Sequence, residues 1–158
     1  MVATWSQDKF PALVARLPGV FGGRSHRNQS FDRILVNGFK SGHISLGDNG
    51  HLKRDWLSAW EVTEFFLHYM TRPVKGRVNV VRGDSLTLDE YVAKALEVAP
   101  HVRHERLIKI DRHDLPHFVF DPSHFRSSFP DWAFPERQRD IHRLARELVQ
   151  QLAQTAKP

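Results

Sequence analysis

The sequence contains no cysteine, which excludes disulfide bonds, thiolate metal sites and a cysteine nucleophile. A chain without cysteine fits a reducing compartment. No apolar run approaches the roughly 18 residues that a membrane-spanning helix requires, and the first residues lack the pattern of a signal peptide. We therefore expect a soluble, cytoplasmic protein that does not interact with membranes.

Short catalytic motifs are also missing. The chain has no Walker phosphate loop, no nucleophile elbow and no paired-carboxylate signature. Its histidines are scattered, and Pro116 between His113 and His117 opposes the helix that a metal-binding pair at this spacing needs. The sequence predicts no bound metal and no cofactor, and it leaves the presence of catalysis undecided.

The apolar content is sufficient for a hydrophobic core. Of the 158 residues, 41% are hydrophobic, and a chain of this length fits one domain. No repeat and no linker interrupts the chain. We predict a single globular domain over residues 1–158, with a frayed end at about 154–158.

Local patterns predict an α+β domain, in which an antiparallel or mixed sheet of about four to five strands packs against three to four helices. The expected order is roughly (α)ββαβαββα. The predicted helices cover 5–17, 56–70, 87–99 and a last segment from 135. The predicted strands lie within 31–46 and at 77–82, 106–110 and 117–120.

Three local features support that order. Asn37 and Gly38 supply the positive-φ pair of a type I′ turn, which predicts a hairpin over 31–46. Asp55 is placed to cap the helix that follows it. Thr87 and Glu90 have the spacing of a capping box at the start of the next helix.

Positive charge is concentrated in the first third of the chain. Residues 1–54 carry a net charge of +5, which equals the formal charge of the whole protein, and 55–158 are neutral. Arginine is also more abundant than lysine. A basic segment attracts phosphate-rich partners, and arginine binds phosphate in a bidentate manner. The charge distribution favours an anionic partner for residues 16–54.

A glycine-rich basic loop is the main candidate for phosphate binding. Two adjacent glycines permit close backbone approach to an anion, and nearby arginines can clamp it. Basic residues further along the chain extend the candidate surface. The predicted phosphate-binding or nucleic-acid-binding residues are Gly22, Gly23, Arg24, His26, Arg27, Arg33 and Lys40.

Two other functions remain open at this stage. A nuclease or phosphodiesterase could use His26 or His43 as a general base, with Arg24 or Arg27 stabilising the phosphate. An adaptor, inhibitor or immunity-type protein could instead bind an acidic protein partner. The aromatic segment that precedes the last helix supplies candidate anchors for such an interface, namely Phe125, Phe129 and Trp132.

The first choice among these functions is a small cytoplasmic protein that binds DNA or RNA. The basic loop and hairpin of residues 16–54 would follow the phosphate backbone. The acidic-partner protein and the phosphodiester-processing enzyme are the alternatives.

Overall fold

The computed structural model describes residues 12–23, 30–106 and 116–155. Within these ranges the chain forms eight short strands, five α-helices and one 3-10 turn at Asp48–His51. The strands are β1 (Leu13–Arg16), β2 (Val20–Phe21), β3 (His43–Leu46), β4 (Lys53–Arg54), β5 (Leu57–Ser58), β6 (Gly76–Asn79), β7 (Leu86–Thr87) and β8 (Arg103–Arg106). The helices are α1 (Ser30–Ser41), α2 (Ala59–Thr71), α3 (Leu88–Leu96), α4 (Ser123–Ser128) and α5 (Arg137–Thr155).

Three of the four strand pairs among the described residues are parallel. β1 lies beside β6, with Leu13 opposite Gly76 and Arg16 opposite Asn79. β2 pairs with β5 and β3 pairs with β8 in the same sense, whereas β4 and β7 are antiparallel. Each parallel pair is joined by a crossover that contains at least one helix. The predicted α+β domain with an antiparallel or mixed sheet is therefore wrong, because the fold is α/β with mostly parallel strands.

The strands are too short to be recognised from their sequences. Each has only two to four residues, so an alternation of apolar and polar residues cannot develop. β8 has the sequence Arg-His-Glu-Arg and contains no apolar residue. Its place beside β3 is set by the helices that pack around it and not by its own pattern.

The predicted hairpin over 31–46 is also wrong. Helix α1 occupies most of this segment, and β3 follows it after Gly42. Gly38 lies inside the helix, where its lack of a side chain lets the side chain of Ile44 pack directly against the helix backbone. Asn-Gly is a strong turn signal when strands flank it, but here an amphipathic helix surrounds it.

Replacing Gly38 by alanine is expected to destabilise the protein, although alanine favours helices by about 0.5–1 kcal/mol over glycine. The added Cβ would overlap Ile44, which is buried in the core. Overpacking costs about 1–3 kcal/mol. Urea unfolding should therefore show a lower midpoint for Gly38→Ala, while Asn37→Ala at the neighbouring exposed position should be neutral or stabilising. A stability gain for Gly38→Ala would contradict the packing of Ile44 on the helix.

The helix starts follow capping rules. The capping box of Thr87 and Glu90 is confirmed, with the Glu90 amide donating to the Thr87 hydroxyl at 3.1 Å. At α2 the cap is Ser58 and not the predicted Asp55, because Ser58 forms a second capping box with Glu61. The predicted helix over 5–17 does not extend through its last residues, since Leu13–Arg16 form β1.

Two hydrophobic clusters form the core of the described residues. The first lies between α1, α3, α5 and β3, and its centre is the aromatic group of Phe21, Phe31 and Tyr91. The second lies between α2, α4 and the β1–β6 pair, around Phe65. No helix of the described residues is long and apolar enough to cross a membrane.

Candidate ligand site at the carboxyl ends of the parallel strands

Four chain segments meet beyond the carboxyl ends of β1 and β6. The Val80 amide donates to the Arg16 carbonyl at 2.9 Å, which carries the β1–β6 pairing to the end of β1. In the next turn, the Leu57 amide donates to the Gly19 carbonyl at 3.0 Å. We call the surface formed by residues 16–19, 53–55, 80–83 and 117–120 the carboxyl-edge surface. Ligands of open α/β sheets bind in this position, outside the carboxyl ends of the strands.

Asp55 connects three of these segments. Its backbone amide donates to the Phe118 carbonyl at 3.0 Å. Its buried carboxylate accepts hydrogen bonds from the Arg82 amide at 3.4 Å and the Gly83 amide at 3.3 Å. Burial raises the pKa of Asp55, and these backbone bonds oppose that rise. Asp55 therefore holds the loops of the carboxyl-edge surface together and is not a helix cap.

Arg54 is one of the cations of this surface. Its guanidinium carbon lies 4.2 Å from the centre of the Phe118 ring, within the range of a cation–π contact. Partial burial lowers the pKa of Arg54 from its ordinary value. The Phe118 amide donates to the Lys53 carbonyl at 3.0 Å, so the backbone fixes the ring beside the cation. A half-buried guanidinium is thus placed for binding an anionic group.

Exposed apolar side chains lie on the segments that form this surface. Phe118 is 52% exposed, and Val119, Phe120 and Leu17 are exposed as well. Gly83 has φ of +77° and leaves no room for a side chain because Pro122 lies against it. An exposed apolar patch beside a positioned charge is typical of a binding site. The ligand that fits this surface has one anionic group and one flat apolar group.

A network of buried charges supports the surface from behind. Arg82 is ion-paired with Glu61, and its guanidinium also donates to the Pro135 carbonyl at 2.9 Å. Arg137 pairs with Asp84, next to Arg82 in the same loop. Glu61 is 1% exposed, so its charge depends on Arg82. This network attaches the loop of Arg82 and Gly83 to helices α2 and α5.

The buried carboxyl of Glu61 predicts a pH-dependent contribution to stability. Burial raises its pKa above the ordinary value of 4.5. The hydrogen bond from the Ser58 amide and the charge of Arg82 lower the pKa, but they do not cancel the effect of burial. A raised pKa in the folded state means that folding favours the protonated form. The contribution of Glu61 to folding stability is therefore complete below pH 4.5 and is lost as the pH rises through the raised pKa.

We expect the free energy of unfolding of the wild type, relative to that of Glu61→Gln, to decrease as the pH rises from 4.5 to 7. Urea unfolding of both proteins at the two pH values measures this difference. The same substitution at Glu136, which is exposed, serves as the control. A wild-type advantage that grows with pH would contradict the dominance of burial over the Arg82 ion pair.

The structure describes four of the seven residues that the sequence grouped as phosphate-binding. Gly22 and Gly23 follow β2, and the Gly22 amide already donates to both carboxylate oxygens of Asp32 at 3.0 and 3.1 Å. Arg33 and Lys40 are exposed on α1. Arg24, His26 and Arg27 lie outside the described residues. The role of this set in phosphate binding stays a prediction.

The remaining candidates are His43 and three aromatic residues. His43 is exposed at the start of β3, and its Nε2 lies 3.2 Å from the Glu105 carboxylate. Phe125 and Phe129 are buried in the second core cluster, where they contact Phe65, and Trp132 packs at its margin. The rings of Phe125 and Phe129 contact each other, and Phe125 and Trp132 also line a cavity beside Arg82. Their role as partner anchors, and that of His43 as a base, stay predictions.

Sequence reasoning missed the pair of Arg54 and Phe118. Arg54 belongs to the basic segment 16–54, and Phe118 belongs to the predicted strand 117–120. The two residues are 64 positions apart, and no local pattern joins them. The one local sign of a site is the charged sequence Lys53-Arg54-Asp55 before the buried strand β5. This sequence does not identify the distant segments that pack against it.

Comparison with known proteins identifies the fold. No protein-family model matches the chain, and no curated protein matches it in sequence. Solved structures do match. The NAD-dependent NDP-hexosamine 5,6-dehydratase TunA, involved in tunicamycin biosynthesis, is 18% identical with a TM-score of 0.71, over 96% of this chain and 50% of TunA.

Two further structures agree. RMD from Pseudomonas aeruginosa, solved with NADPH, is 13% identical with a TM-score of 0.75, over 94% of this chain and 52% of RMD. The UDP-N-acetylglucosamine 4-epimerase from Methanobrevibacter ruminantium, solved with UDP-N-acetylmuramic acid, is 17% identical with a TM-score of 0.70. That match covers 90% of this chain and 47% of the epimerase. The chain thus shares its fold with about half the length of each protein.

These matches overturn the functions expected from composition. The similar structures are NAD(P)-dependent and nucleotide-sugar enzymes, so the prediction of a DNA- or RNA-binding protein is wrong. The alternatives of an acidic protein partner and of a phosphodiester-processing enzyme find no support either. The excess of cations in residues 1–54 is distributed over several elements, with Arg33 and Lys40 on α1 and Arg54 on β4.

The sequence does not contain the glycine fingerprint of dinucleotide binding. G-x-G-x-x-G requires two glycines separated by one residue. The nine glycines include no such pair. The residues of this chain therefore do not fit the pyrophosphate of NAD(P) in the usual way.

Proposed function

We propose that this chain forms the substrate-binding half of a nucleotide-sugar-processing enzyme, with a nucleoside diphosphate sugar bound at the carboxyl-edge surface. The observation that carries the proposal is the contact of Arg54 with the exposed Phe118, beyond the carboxyl ends of the parallel strands. It is supported by fold matches to enzymes whose names include NDP-hexosamine and UDP-N-acetylglucosamine. In such an enzyme a nicotinamide cofactor would supply hydride transfer.

The chemistry of the surface fits the two ends of such a ligand. The Arg54 guanidinium is a bidentate donor for a phosphate of the diphosphate. The exposed ring of Phe118 and its apolar neighbours offer a face for the base or the sugar ring. Lys53 and Arg16 are exposed cations on two of the segments that form the surface. These residues bind and orient the ligand, and we assign them no proton transfer.

Replacing Arg54 by methionine is expected to weaken binding of the nucleotide sugar. Hydrogen bonds to charged groups contribute about 1.5–3 kcal/mol, so Kd should rise by roughly 10- to 150-fold. Isothermal titration calorimetry with UDP-glucose, dTDP-glucose and GDP-mannose in turn measures this change. Arg54→Lys retains the charge without the planar fork and should give an intermediate Kd.

Arg72→Met is the matched control. Arg72 lies at the carboxyl end of α2, close to the start of β6. It is therefore near the amino end of this strand, away from the carboxyl-edge surface. The variant should bind like the wild type. Equal losses for Arg54→Met and Arg72→Met, or no binding of any of the three nucleotide sugars by the wild type, would contradict the proposal.

A cytoplasmic location is part of the same proposal. The absence of cysteine supports it, since such a chain is suited to a reducing compartment.

A further inference from the structure

Helix α4, the segment that follows it and the loop after β6 form a cavity of about 250 Å³. Pockets for drug-sized ligands have volumes of about 300–1,000 Å³, so this cavity suits a smaller molecule. Of the carboxyl-edge surface, it shares Arg82 alone. Three aromatic rings, two arginines and one aspartate line the cavity, namely Arg82, Asp84, Phe125, Arg126, Trp132 and Phe134.

The aromatic wall of the cavity is held in place by contacts between its rings. The Phe125 and Phe134 rings are stacked with a centroid distance of 5.4 Å, and Trp132 meets Phe134 edge to face at 5.8 Å. Phe125 is buried, whereas Trp132 and Phe134 are only partly buried. Aromatic rings associate by offset stacking or by edge-to-face contact. A wall of this kind therefore favours a ligand that contains a flat aromatic ring.

Arg126 supplies the charge for an anionic group on that ligand. The side chain is exposed, and among the described residues no carboxylate forms an ion pair with it. Its Nη2 donates to the Arg82 carbonyl at 3.3 Å, which holds the guanidinium at the cavity. A guanidinium has five N–H donors in a planar fork, so the remaining donors are available for a carboxylate.

The other charges that line the cavity are compensated within the protein. Arg82 is ion-paired with Glu61 and with Asp84. Asp84 is also paired with Arg137. The charge without an acidic partner among the described lining residues is therefore that of Arg126, and it makes the cavity complementary to a single negative charge.

A larger cavity of about 420 Å³ beside Trp60 lacks this combination. Arg143 lies over the Trp60 ring, with its guanidinium carbon 4.3 Å from the ring centre. The Nε of Arg143 lies 3.2 Å from the Glu147 carboxylate. One face of the ring and the charge of the arginine are thus already used inside the protein. The comparison favours the cavity at Arg126 for an aromatic anion.

We propose that the cavity at Arg126 is a second ligand site, which binds a small aromatic carboxylate. The carboxylate accepts hydrogen bonds from the Arg126 guanidinium, and the ring lies against Trp132 and Phe134. This inference does not depend on the nucleotide-sugar site, because the two sites bind their ligands through different arginines.

Nuclear magnetic resonance with 2-naphthoate tests where the ligand binds. In the ¹⁵N-labelled chain each tryptophan gives an indole N–H signal, and the variant Trp132→Phe assigns that of Trp132. We expect 2-naphthoate to shift the Trp132 signal in a saturable manner with a Kd of about 0.1–1 mM, and to leave the Trp60 signal unchanged. An equal or larger shift of the Trp60 signal, or no saturable shift of the Trp132 signal, would overturn the proposal.

Variants of two arginines and a neutral analogue test the role of the charge. Arg126→Met should raise the Kd of 2-naphthoate roughly tenfold, because hydrogen bonds to a charged group are lost. Arg126→Lys should give an intermediate Kd. Arg126 is exposed, so the Tm of both variants should change little.

Arg143→Met is the matched control, since it alters the arginine of the other aromatic cavity, and it should bind 2-naphthoate like the wild type. The uncharged 2-naphthamide has the same rings and should bind the wild type and Arg126→Met with the same weak affinity. An unchanged Kd of 2-naphthoate in Arg126→Met, or an equal loss in Arg143→Met, would show that Arg126 does not form the site.

Discussion

Replacing Phe65 by alanine is expected to destabilise the chain by about 3–5 kcal/mol, the usual cost of removing a buried phenylalanine. Phe65 is fully buried, and its ring contacts Phe125, Phe129 and Trp132 with centroid distances of 5.5, 5.0 and 5.7 Å. The ring joins α2 to α4 and to the β1–β6 pair. A cavity here would loosen the structure under the carboxyl-edge surface.

Phe66→Ala is the matched control for this substitution. The two phenylalanines are neighbours on the same helix, but Phe66 is exposed. Its truncation should cost about 1 kcal/mol or less. Chemical denaturation of both variants at pH 7 gives the comparison. Similar losses from the two substitutions would contradict the orientation of α2, in which Phe65 is buried and Phe66 is exposed.

Replacing Arg82 by methionine is expected to have an effect of similar size. The side chain of Arg82 is 9% exposed and that of its partner Glu61 is 1% exposed. Removing one member of a buried ion pair leaves the other charge without compensation and costs about 3–5 kcal/mol. The loop from Arg82 to Asp84 would also lose its link to the Pro135 carbonyl. Denaturant midpoints, converted with a common m-value, measure the loss.

Two further variants show whether the loss arises from the unpaired carboxylate. The double variant Arg82→Met with Glu61→Gln should lose less stability than the two single variants lose together, because no buried charge then lacks a partner. Arg72→Met breaks an exposed ion pair with Asp131 and should cost about 0–1 kcal/mol. Strict additivity in the double variant would show that Glu61 does not depend on Arg82.

The helices were more predictable than the strands. The capping box of Thr87 and Glu90 and the apolar stripe of the last helix are local patterns, and α3 and α5 follow them. The parallel strands depend on helices packed on their faces, so short polar strands such as β8 have no pattern of their own. Asn37-Gly38 misled the prediction because the two residues lie in α1, where Gly38 serves packing against Ile44.

Local sequence patterns could not predict the candidate site. Its residues come from segments that are distant in sequence, and they meet only because β1 and β6 are parallel and end at the same edge. The sequence predicts Asp55 as a helix cap, but its carboxylate accepts hydrogen bonds from the amides of Arg82 and Gly83. The excess of positive charge lies in residues 1–54, whereas the carboxyl-edge surface also contains the later Phe118.

Hydrogen exchange of the chain with and without saturating UDP-glucose tests the central claim most directly, because it locates the bound ligand on the fold. We predict slower exchange in segments 16–19, 53–55, 80–83 and 117–120, and no change with NAD⁺ at the same concentration. Protection confined to residues around Gly22 and Gly23, or protection by NAD⁺ alone, would contradict the assignment of the carboxyl-edge surface as a nucleotide-sugar site.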